Sequence, residues 1–195
     1  VSERAAAVAV DPETQNAYVS QQAHGEQHSV TFAGFVSEVD KFTLTCDGEA
    51  TAEIGYLGGN SGRNNAIKAA LESKCGVGNF LVSTPGTTIT YIGKYLGDDV
   101  PLTVCTTTTG TGTCTPNQGR EAKQTQISAF KSDGSLISNE IGKGLVPQGD
   151  FYGIDVYGET GEIYVTDRNH NEALLLSPDG SSVIDEIDGS EAPTG

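Results

Sequence analysis

The stretch AAAVAVDPETQNAYVSQQ, residues 5–22, returns without a gap as FYGIDVYGETGEIYVTDR, residues 151–168, at an offset of 146. Five residues are identical between the copies: Val10 and Val156, Glu13 and Glu159, Thr14 and Thr160, Tyr18 and Tyr164, Val19 and Val165. Self-similarity at a fixed offset is typical of a repeated supersecondary unit. The architecture is therefore best predicted from this repeat, before any single element is assigned.

A second pair of segments shows that one repeat is split. SDGSLISNEI at 132–141 matches PDGSSVIDEI at 178–187, here at an offset of 46. Since 146 − 46 = 100, the first copy carries 100 residues that the second copy lacks, between about Gln22 and Gln124. The first repeat is thus predicted to comprise residues 5–22 and 124–142, and the second to run continuously over 151–189.

Each repeat has the pattern of four short strands. In the second copy the apolar and β-branched runs GIDVY, EIYVT, EALLLS and SVIDEI are separated by GETG, DRNHN and PDGS. Runs of this kind, bounded by turn residues, indicate strands, and glycine supplies the positive φ that tight hairpins require. We expect two four-stranded antiparallel meanders in a mainly β protein.

The repeats resemble those of the NHL-type β-propeller family. DPETQNAYVS with ISAFKSDGSLI, and YGETGEIYVTD with LLLSPDGSSVI, look like its D-x-x-G-N-x-Y-V-x-D core followed by a strand, Asp-Gly and another strand. Gln15 and Gln21 depart from it, since Gly and Asp are usual there. The resemblance implies propeller-like blades. Because a propeller closes with about four to eight blades, two blades imply a subunit that assembles with further copies.

Residues 26–118 are predicted to form a separate α+β module inside the first repeat, and residues 1–25 with 119–195 to form the repeat domain. In KFTLTC, the residues Phe42, Leu44 and Cys46 alternate with polar ones, which predicts a strand covered on one face. One helix packed on an antiparallel sheet is the expected arrangement.

The helix of this module is predicted from the residues expected to begin and end it and from its apolar stripe. Asn60 or Ser61 can cap a helix that runs to about Lys74, with Gly76 as its stop. The residues expected to face the sheet are Ala66, Ile67, Ala70 and Leu71.

The module is also similar to one found among NHL-type repeats in large secreted bacterial proteins, with the pattern F-T-L-T-F-x-G-x-T-T-A-x-I-x-Y, a helix of the A-L-E-A-L kind, G-x-G-N-V and a closing G-T-D-V-P. The positions that fit are 42–45, Ala52, Ile54, Tyr56, 70–72, Gly78, Asn79 and 99–101. The similarity implies a secreted spacer or display module and names no activity.

The four cysteines are predicted to form two disulfides. Cys46 shares the covered face of its strand and Cys75 ends the helix over that face, so these two are expected to pair. In VPLTVC the expected inward set is Val100, Leu102 and Val104, which sends Cys105 outward to Cys114 across a Thr/Gly-rich loop. Free buried thiols and zinc ligation are the alternatives; for zinc, no paired Cys-x-x-Cys or Cys/His spacing is present.

Composition excludes several classes of protein. The formal net charge is 11 − 26 = −15, which opposes binding to nucleic acid. No apolar run approaches the length of a membrane-spanning helix. The chain contains no Met, so we expect a processed chain or a piece of a longer one. Four cysteines without Cys-x-x-Cys spacing favour an oxidising, extracellular location.

Candidate catalytic and metal-binding residues are better explained as structural. His24 and His28 are expected in a solvated loop and His170 in a polar hairpin turn. Ser61, Ser83 and Ser177 lack the context of a nucleophile. The acidic turns DPETQ, SDGS and SPDGS are expected to cap their own backbone, with calcium binding as the alternative.

The sequence therefore predicts no enzyme, no catalytic residue, no cofactor and no metal site. We expect a secreted or surface-displayed structural or adhesive protein that assembles with itself, through the edges and faces of its β-repeats, into a filament, matrix or ring. An extracellular protein or glycan is a further candidate partner. The alternatives are a ligand-binding propeller fragment and, third, a propeller lyase or hydrolase, whose catalytic groups must converge from many blades.

Overall fold

A computed structural model describes residues 5–84 and 87–188. The ends of the predicted repeat domain, residues 1–4 and 189–195, lie outside the described residues. The chain divides into two compact units: a repeat unit, Val1–His24 with Gln124–Gly195, and an inserted unit, Gly25–Lys123. The inserted unit thus begins one residue before the predicted position 26 and ends five residues after the predicted position 118.

The described residues are mainly β. The elements in chain order are β1 (Ala5–Val10), β2 (Ala17–Gln21), β3 (Gln27–Ala33), β4 (Lys41–Cys46), β5 (Glu49–Ala50), β6 (Ile54–Gly55), α1 (Asn60–Cys75), β7 (Phe80–Ser83), β8 (Thr87–Tyr91), β9 (Cys105–Thr109), β10 (Thr113–Arg120), β11 (Gln126–Phe130), β12 (Leu136–Ile141), β13 (Phe151–Tyr157), β14 (Glu162–Asp167), β15 (Glu172–Leu176) and β16 (Val183–Ile187).

Two four-stranded antiparallel sheets make up the repeat unit. The first repeat sheet has the order β1-β2-β11-β12 and the second repeat sheet the order β13-β14-β15-β16. Strands β2 and β11 pair directly although the inserted unit separates them in sequence. The four-stranded meanders and the split of the first one are confirmed; each sheet is open at both edges within the described residues.

The two repeat sheets have the same pairing register. The pairs Val8–Val19 and Tyr18–Ala129 of the first sheet recur, at offsets of 146 and 46, as Ile154–Val165 and Tyr164–Leu175 of the second. Because side chains alternate between the faces of a strand, an identical register places equivalent residues on equivalent faces. The repeat in the sequence is therefore also a repeat in three dimensions.

The core of the repeat unit lies between the two repeat sheets. The buried residues are Ala9, Tyr18, Ile127, Ala129 and Ile141 from the first sheet, and Phe151, Val156, Ile163, Val165, Leu174 and Leu176 from the second. The Ser20 hydroxyl donates a hydrogen bond of 3.0 Å to the backbone oxygen of Tyr152 at this interface. Burying an aliphatic or aromatic side chain contributes about 1.5–3 kcal/mol, so this contact stabilises both sheets.

The inserted unit combines a sheet of order β10-β3-β8-β7 with a smaller one in which β4 pairs with β5, β6 and β9. Its core includes Phe42, Leu44 and Cys46, as the alternation in KFTLTC predicts, together with Ile67 and Leu71 of α1. The expected arrangement of one helix over antiparallel strands is confirmed.

The helix α1 ends as predicted but begins differently. Gly76 follows it with φ of 99°, a left-handed conformation that favours glycine. The predicted cap by Asn60 or Ser61 is wrong: Gly59 is the N-cap residue and no side chain caps the helix. Asn60 is instead the first helical residue, and its Oδ1 accepts a 2.6 Å hydrogen bond from the guanidinium of buried Arg63.

The predicted inward face of VPLTVC is wrong. Leu102 and Val104 are 45% and 54% exposed, whereas Val100 and Thr103 are buried. The reason is that residues 101–104 are not a strand, so side chains do not alternate there. Their backbone bonds to side chains instead, as when the Val104 N–H donates to the Thr45 hydroxyl at 2.8 Å.

No helix among the described residues has the length and hydropathy that crossing a bilayer requires. The helix α1 has 16 residues and carries charged side chains along its length.

Candidate functional site

The cysteines of the inserted unit form two disulfides, Cys46–Cys75 and Cys105–Cys114. These are the pairs that the sequence predicts. The sequence separations of 29 and 9 residues correspond, in the chain-entropy model, to about 3.6 and 2.6 kcal/mol of stabilisation. No cysteine is left free, so neither a reactive thiol nor a zinc-binding thiolate is offered by these residues.

His28 is not in a solvated loop, as the sequence analysis expects, but is fully buried on β3. Its Nδ1 accepts the backbone N–H of Thr103 at 3.3 Å, so its Nε2 carries the proton that faces Glu26 Oε1 at 3.2 Å. The Glu26 carboxylate also accepts the Val100 N–H and the Gln118 side-chain amide, both at 2.8 Å. This buried network ties β3 to the irregular segment before β9.

The network continues to a buried tyrosine. The Thr103 hydroxyl contacts both His28 Nδ1 and the Tyr91 hydroxyl. Burial raises the pKa of Tyr91 to about 12. Although a Glu–His–hydroxyl chain can serve nucleophilic catalysis, both Glu26 and His28 are 0% exposed, so no substrate reaches them in this conformation. The network's evident role is to satisfy polar groups inside the core.

His24, the other histidine of this stretch, is half-buried and is the last residue of the repeat unit before the insertion. The expectation of a solvated loop is therefore also wrong for His24. The local sequence around it carries no signal of burial.

A group of potential metal ligands lies at the β14–β15 turn, formed by Asp167, His170 and Glu172. His170 Nδ1 donates to Asp167 Oδ2 at 2.9 Å, which raises the pKa of His170. Asp167 Oδ1 accepts the backbone N–H groups of Asp150 at 3.0 Å and Asn169 at 2.9 Å. Because both carboxylate oxygens are engaged, capping the turn accounts for Asp167, and His170 lies in the polar turn that the sequence predicts.

The acidic turns cap their own backbone as expected. Asp11 Oδ1 accepts the Glu13 N–H at 2.9 Å, Asp133 the Ser135 N–H at 2.8 Å and Asp179 the Ser181 N–H at 3.1 Å.

The three serines considered as nucleophiles lie apart in the sequence, in local structures that account for them. Ser177 donates its hydroxyl to Asp179 at 2.7 Å within the same turn. Ser61 lies in the first turn of α1 and Ser83 at the end of β7.

A further candidate feature is the pair of outer sheet faces: the sequence analysis expects the repeats to associate through their faces, and the structure identifies the residues on them. The outer face of the first repeat sheet is the side away from the second sheet and carries Val8, Val10, Ala17, Val19, Ser128 and Phe130. Val8 and Val10 there are 62% and 55% exposed. The outer face of the second repeat sheet carries Asp155, Tyr164, Ala173, Leu175 and Ile187, of which Tyr164 is 40% and Ile187 54% exposed.

The exposed positions are the repeat equivalents of buried ones. Val10 corresponds to Val156, which is 7% exposed, and Tyr164 corresponds to Tyr18, which is 9% exposed. Both pairs are identities in the alignment of residues 5–22 with residues 151–168. The repeat unit thus exposes on its two outer faces the kind of surface that it buries between its sheets.

Comparison of the chain with protein-family models, with curated proteins and with solved structures gives no match.

Proposed function

We propose that this chain is a structural or adhesive component of an extracellular surface, and that it works by associating with further copies of itself. The observation that carries the proposal is the pair of outer faces, where Val8, Val10 and Ile187 are each more than half exposed. Apolar surface in contact with water favours association when it is contiguous on one face.

The resemblance to NHL-type blades supports the same function. A blade in a propeller has a neighbour on each face, whereas each repeat sheet here packs on the other through one face and exposes apolar side chains such as Val8 and Ile187 on its outer face. Further copies of the chain can supply the missing neighbours. The propeller-like arrangement is part of this proposal.

The extracellular location is supported by the two disulfides, which persist in oxidising compartments and are rare in the cytosol. A binding or catalytic function has less support. The cavity between Asp47, Tyr91 and Pro101 holds about 170 Å³, below the roughly 300–1,000 Å³ of small-molecule sites. A larger hollow of about 470 Å³ is lined by Asp99, Gln118, Glu121 and Ala122 and lacks the mostly apolar wall of such sites. The buried histidine network has no exposed member among Glu26 and His28.

Sedimentation velocity of the intact, oxidised chain tests the proposal. The expected result is a weight-average mass that rises with concentration above the 20.3 kDa of one chain. A single 20.3 kDa species from the nanomolar to the millimolar range would overturn the proposal. Non-reducing peptide mapping of the same sample verifies that both disulfides are formed before the masses are interpreted.

A further inference from the structure

We infer that copies of this chain associate head to tail: the outer face of the second repeat sheet of one copy packs on the outer face of the first repeat sheet of the next. The register is the one in which the two repeat sheets already pack within a chain. This inference rests on the proposed function and specifies its partner, a second copy, and the two faces that meet.

The interface inside the repeat unit provides the template. The first repeat sheet presents Ala9, Tyr18, Ile127, Ala129 and Ile141, and the second presents Ile154, Val156, Ile163, Val165, Leu174 and Leu176. Because the sheets share their strand order and pairing register, the same rotation and translation can be applied once more to the second sheet. Applied to the second sheet, the operation gives the position of a third sheet, which covers the outer face of the second.

The receiving face is formed by the first repeat sheet. Its positions equivalent to the six listed from the second sheet are Val8, Val10, Ala17, Val19, Ser128 and Phe130. Five of the six are apolar, and Val8 and Val10 are more than half exposed. The receiving surface therefore carries mostly apolar side chains, of which Val8 and Val10 lie open to water, whereas Ser128 on the same face is 2% exposed.

The inserting face is formed by the second repeat sheet. Its positions equivalent to the five listed from the first sheet are Asp155, Tyr164, Ala173, Leu175 and Ile187. Tyr164 is the equivalent of Tyr18, and Ile187 is the equivalent of Ile141. Both pairs are identical between the repeats. The aromatic ring that Tyr18 contributes to the existing interface thus has an exposed equivalent, Tyr164, on the outer face of the second repeat sheet.

Two substitutions make the contact between copies weaker than the contact within a chain. Asp155 stands where the first sheet has Ala9, and burying its carboxylate without a partner is costly. Ser128 stands where the second sheet has Leu174 and instead accepts a 3.1 Å hydrogen bond from Gln21. The net charge of −15 adds repulsion between copies. Salt screens this repulsion, so association is expected to strengthen as ionic strength rises.

A head-to-tail contact uses two different faces, so each copy keeps one face of each kind available. Such heterologous contacts close into a ring when the rotation allows and otherwise continue as a filament. With two sheets per copy, a closed ring of about four to eight blades holds about two to four chains.

Complementation between two blocked variants tests the inference. Val10→Glu blocks the receiving face and Tyr164→Glu blocks the inserting face. Each alone is expected to lose every species heavier than a monomer. Mixed in equal amounts, they are expected to form a 1:1 heterodimer and nothing larger, because one intact face of each kind remains.

Val77→Glu is the matched control, since Val77 is 85% exposed, lies in the inserted unit and undergoes the same change of charge. It is expected to assemble like the unmodified chain. Far-UV circular dichroism and non-reducing peptide mapping establish that each variant is folded. If a blocked variant fails to fold, Val8→Glu or Ile187→Glu on the same face replaces it.

The outcomes separate the inference from the function that it rests on. If the unmodified chain stays monomeric, the proposed self-association is wrong. If the unmodified chain assembles but the two variants do not complement each other, or either still assembles alone, the head-to-tail pairing is wrong while self-association stands.

Discussion

The two repeat sheets share strand order and register, yet they differ at the end of their second strand. In the second sheet, β14 ends at Asp167, whose carboxylate caps the tight turn to β15. In the first sheet, β2 ends at the equivalent Gln21, and no tight turn follows because the inserted unit begins at Gly25. The Gln21 amide instead bonds to Ser128 at 3.1 Å and Gln126 at 2.7 Å.

This comparison indicates how a repeat accommodates 100 extra residues. The strand pairing between β2 and β11 is kept. The residue at the end of the second strand differs: Asp167 caps a turn, whereas Gln21 bonds to the neighbouring strand. Side-chain amides link the two strands laterally where a carboxylate would otherwise hold the turn. Gln15 and Gln21, which differ from the residues usual in the NHL-type pattern, both lie in the repeat that is split.

The largest expected difference in stability between the two sheets arises from substitution of Asp167 or its equivalent, Gln21. Asp167→Ala removes a buried carboxylate that accepts the N–H groups of Asp150 and Asn169, so we expect a loss of about 3 kcal/mol in the free energy of local unfolding. Gln21→Ala removes the neutral hydrogen bonds to Ser128 and Gln126 and is expected to cost about 1 kcal/mol. Amide hydrogen exchange of the flanking strands measures both. Equal losses would mean that the two residues do the same task.

Removing the insertion sharpens the same comparison. Replacing residues 22–124 by Arg-Asn-His, the sequence at 168–170, restores the length of the second repeat while keeping Thr125. In this shortened chain Gln21→Asp is expected to stabilise by about 2 kcal/mol, because a turn that needs a carboxylate cap is present again. In the full-length chain the same substitution is expected to destabilise. Urea unfolding of the full-length and shortened chains, each with and without Gln21→Asp, measures the change in the free energy of unfolding. A change of the same sign in both chains contradicts the account.

A smaller effect is expected at the first hairpin of each sheet. Gln15 has a φ of 60° where its equivalent Gly161 has 74°, and the left-handed region is costly for residues other than glycine. Gln15→Gly is expected to stabilise by about 0.5 kcal/mol, and Gly161→Ala to destabilise by about 1 kcal/mol. Thermal unfolding of the two single variants provides the measurement. Destabilisation by Gln15→Gly would show that the glutamine side chain contributes more than its backbone strain removes.

A further small effect is a pH dependence that His170 gives the second sheet. The hydrogen bond to Asp167 raises the pKa of His170 above its usual 6.5, so protonated His170 stabilises the folded state. This contribution is complete below about pH 6.5 and is lost as pH rises through the folded pKa; partial exposure limits it to about 1 kcal/mol or less. His170→Gln, which introduces the residue found at the equivalent position 124, should flatten the profile. An unchanged pH profile in this variant would assign the dependence to another group.

Much of the fold could be predicted from the sequence because the repeat specifies it twice. The two offsets of 146 and 46 locate the strands, the turns and the insertion without any contact information. Alternation in KFTLTC indicates the covered face, and Cys46 lies on that face. These are local patterns whose physical cause, the period of a strand, is visible in a few residues.

The errors arose where distant residues decide the outcome. His28 is buried because Thr103, 75 residues further along the chain, supplies a backbone N–H. Leu102 and Val104 are exposed because their segment bonds to side chains and does not alternate like a strand. The sequence predicts that the repeats associate through their faces, but it does not predict which residues are exposed there, because the exposure of an apolar residue depends on the sheets available to cover it, which a local pattern does not contain.

The most direct test of self-association through equivalent faces compares two equivalent tyrosines. Tyr18 is 9% exposed between the repeat sheets and Tyr164 is 40% exposed on the outer face of the second. Hydroxyl-radical footprinting of the oxidised chain at rising concentration reports the accessibility of both rings in one sample. We predict that labelling of Tyr164 falls toward that of Tyr18, that labelling of Val10 falls with it, and that Tyr18 stays constant. Labelling of Tyr164 and Val10 that does not change with concentration contradicts the account.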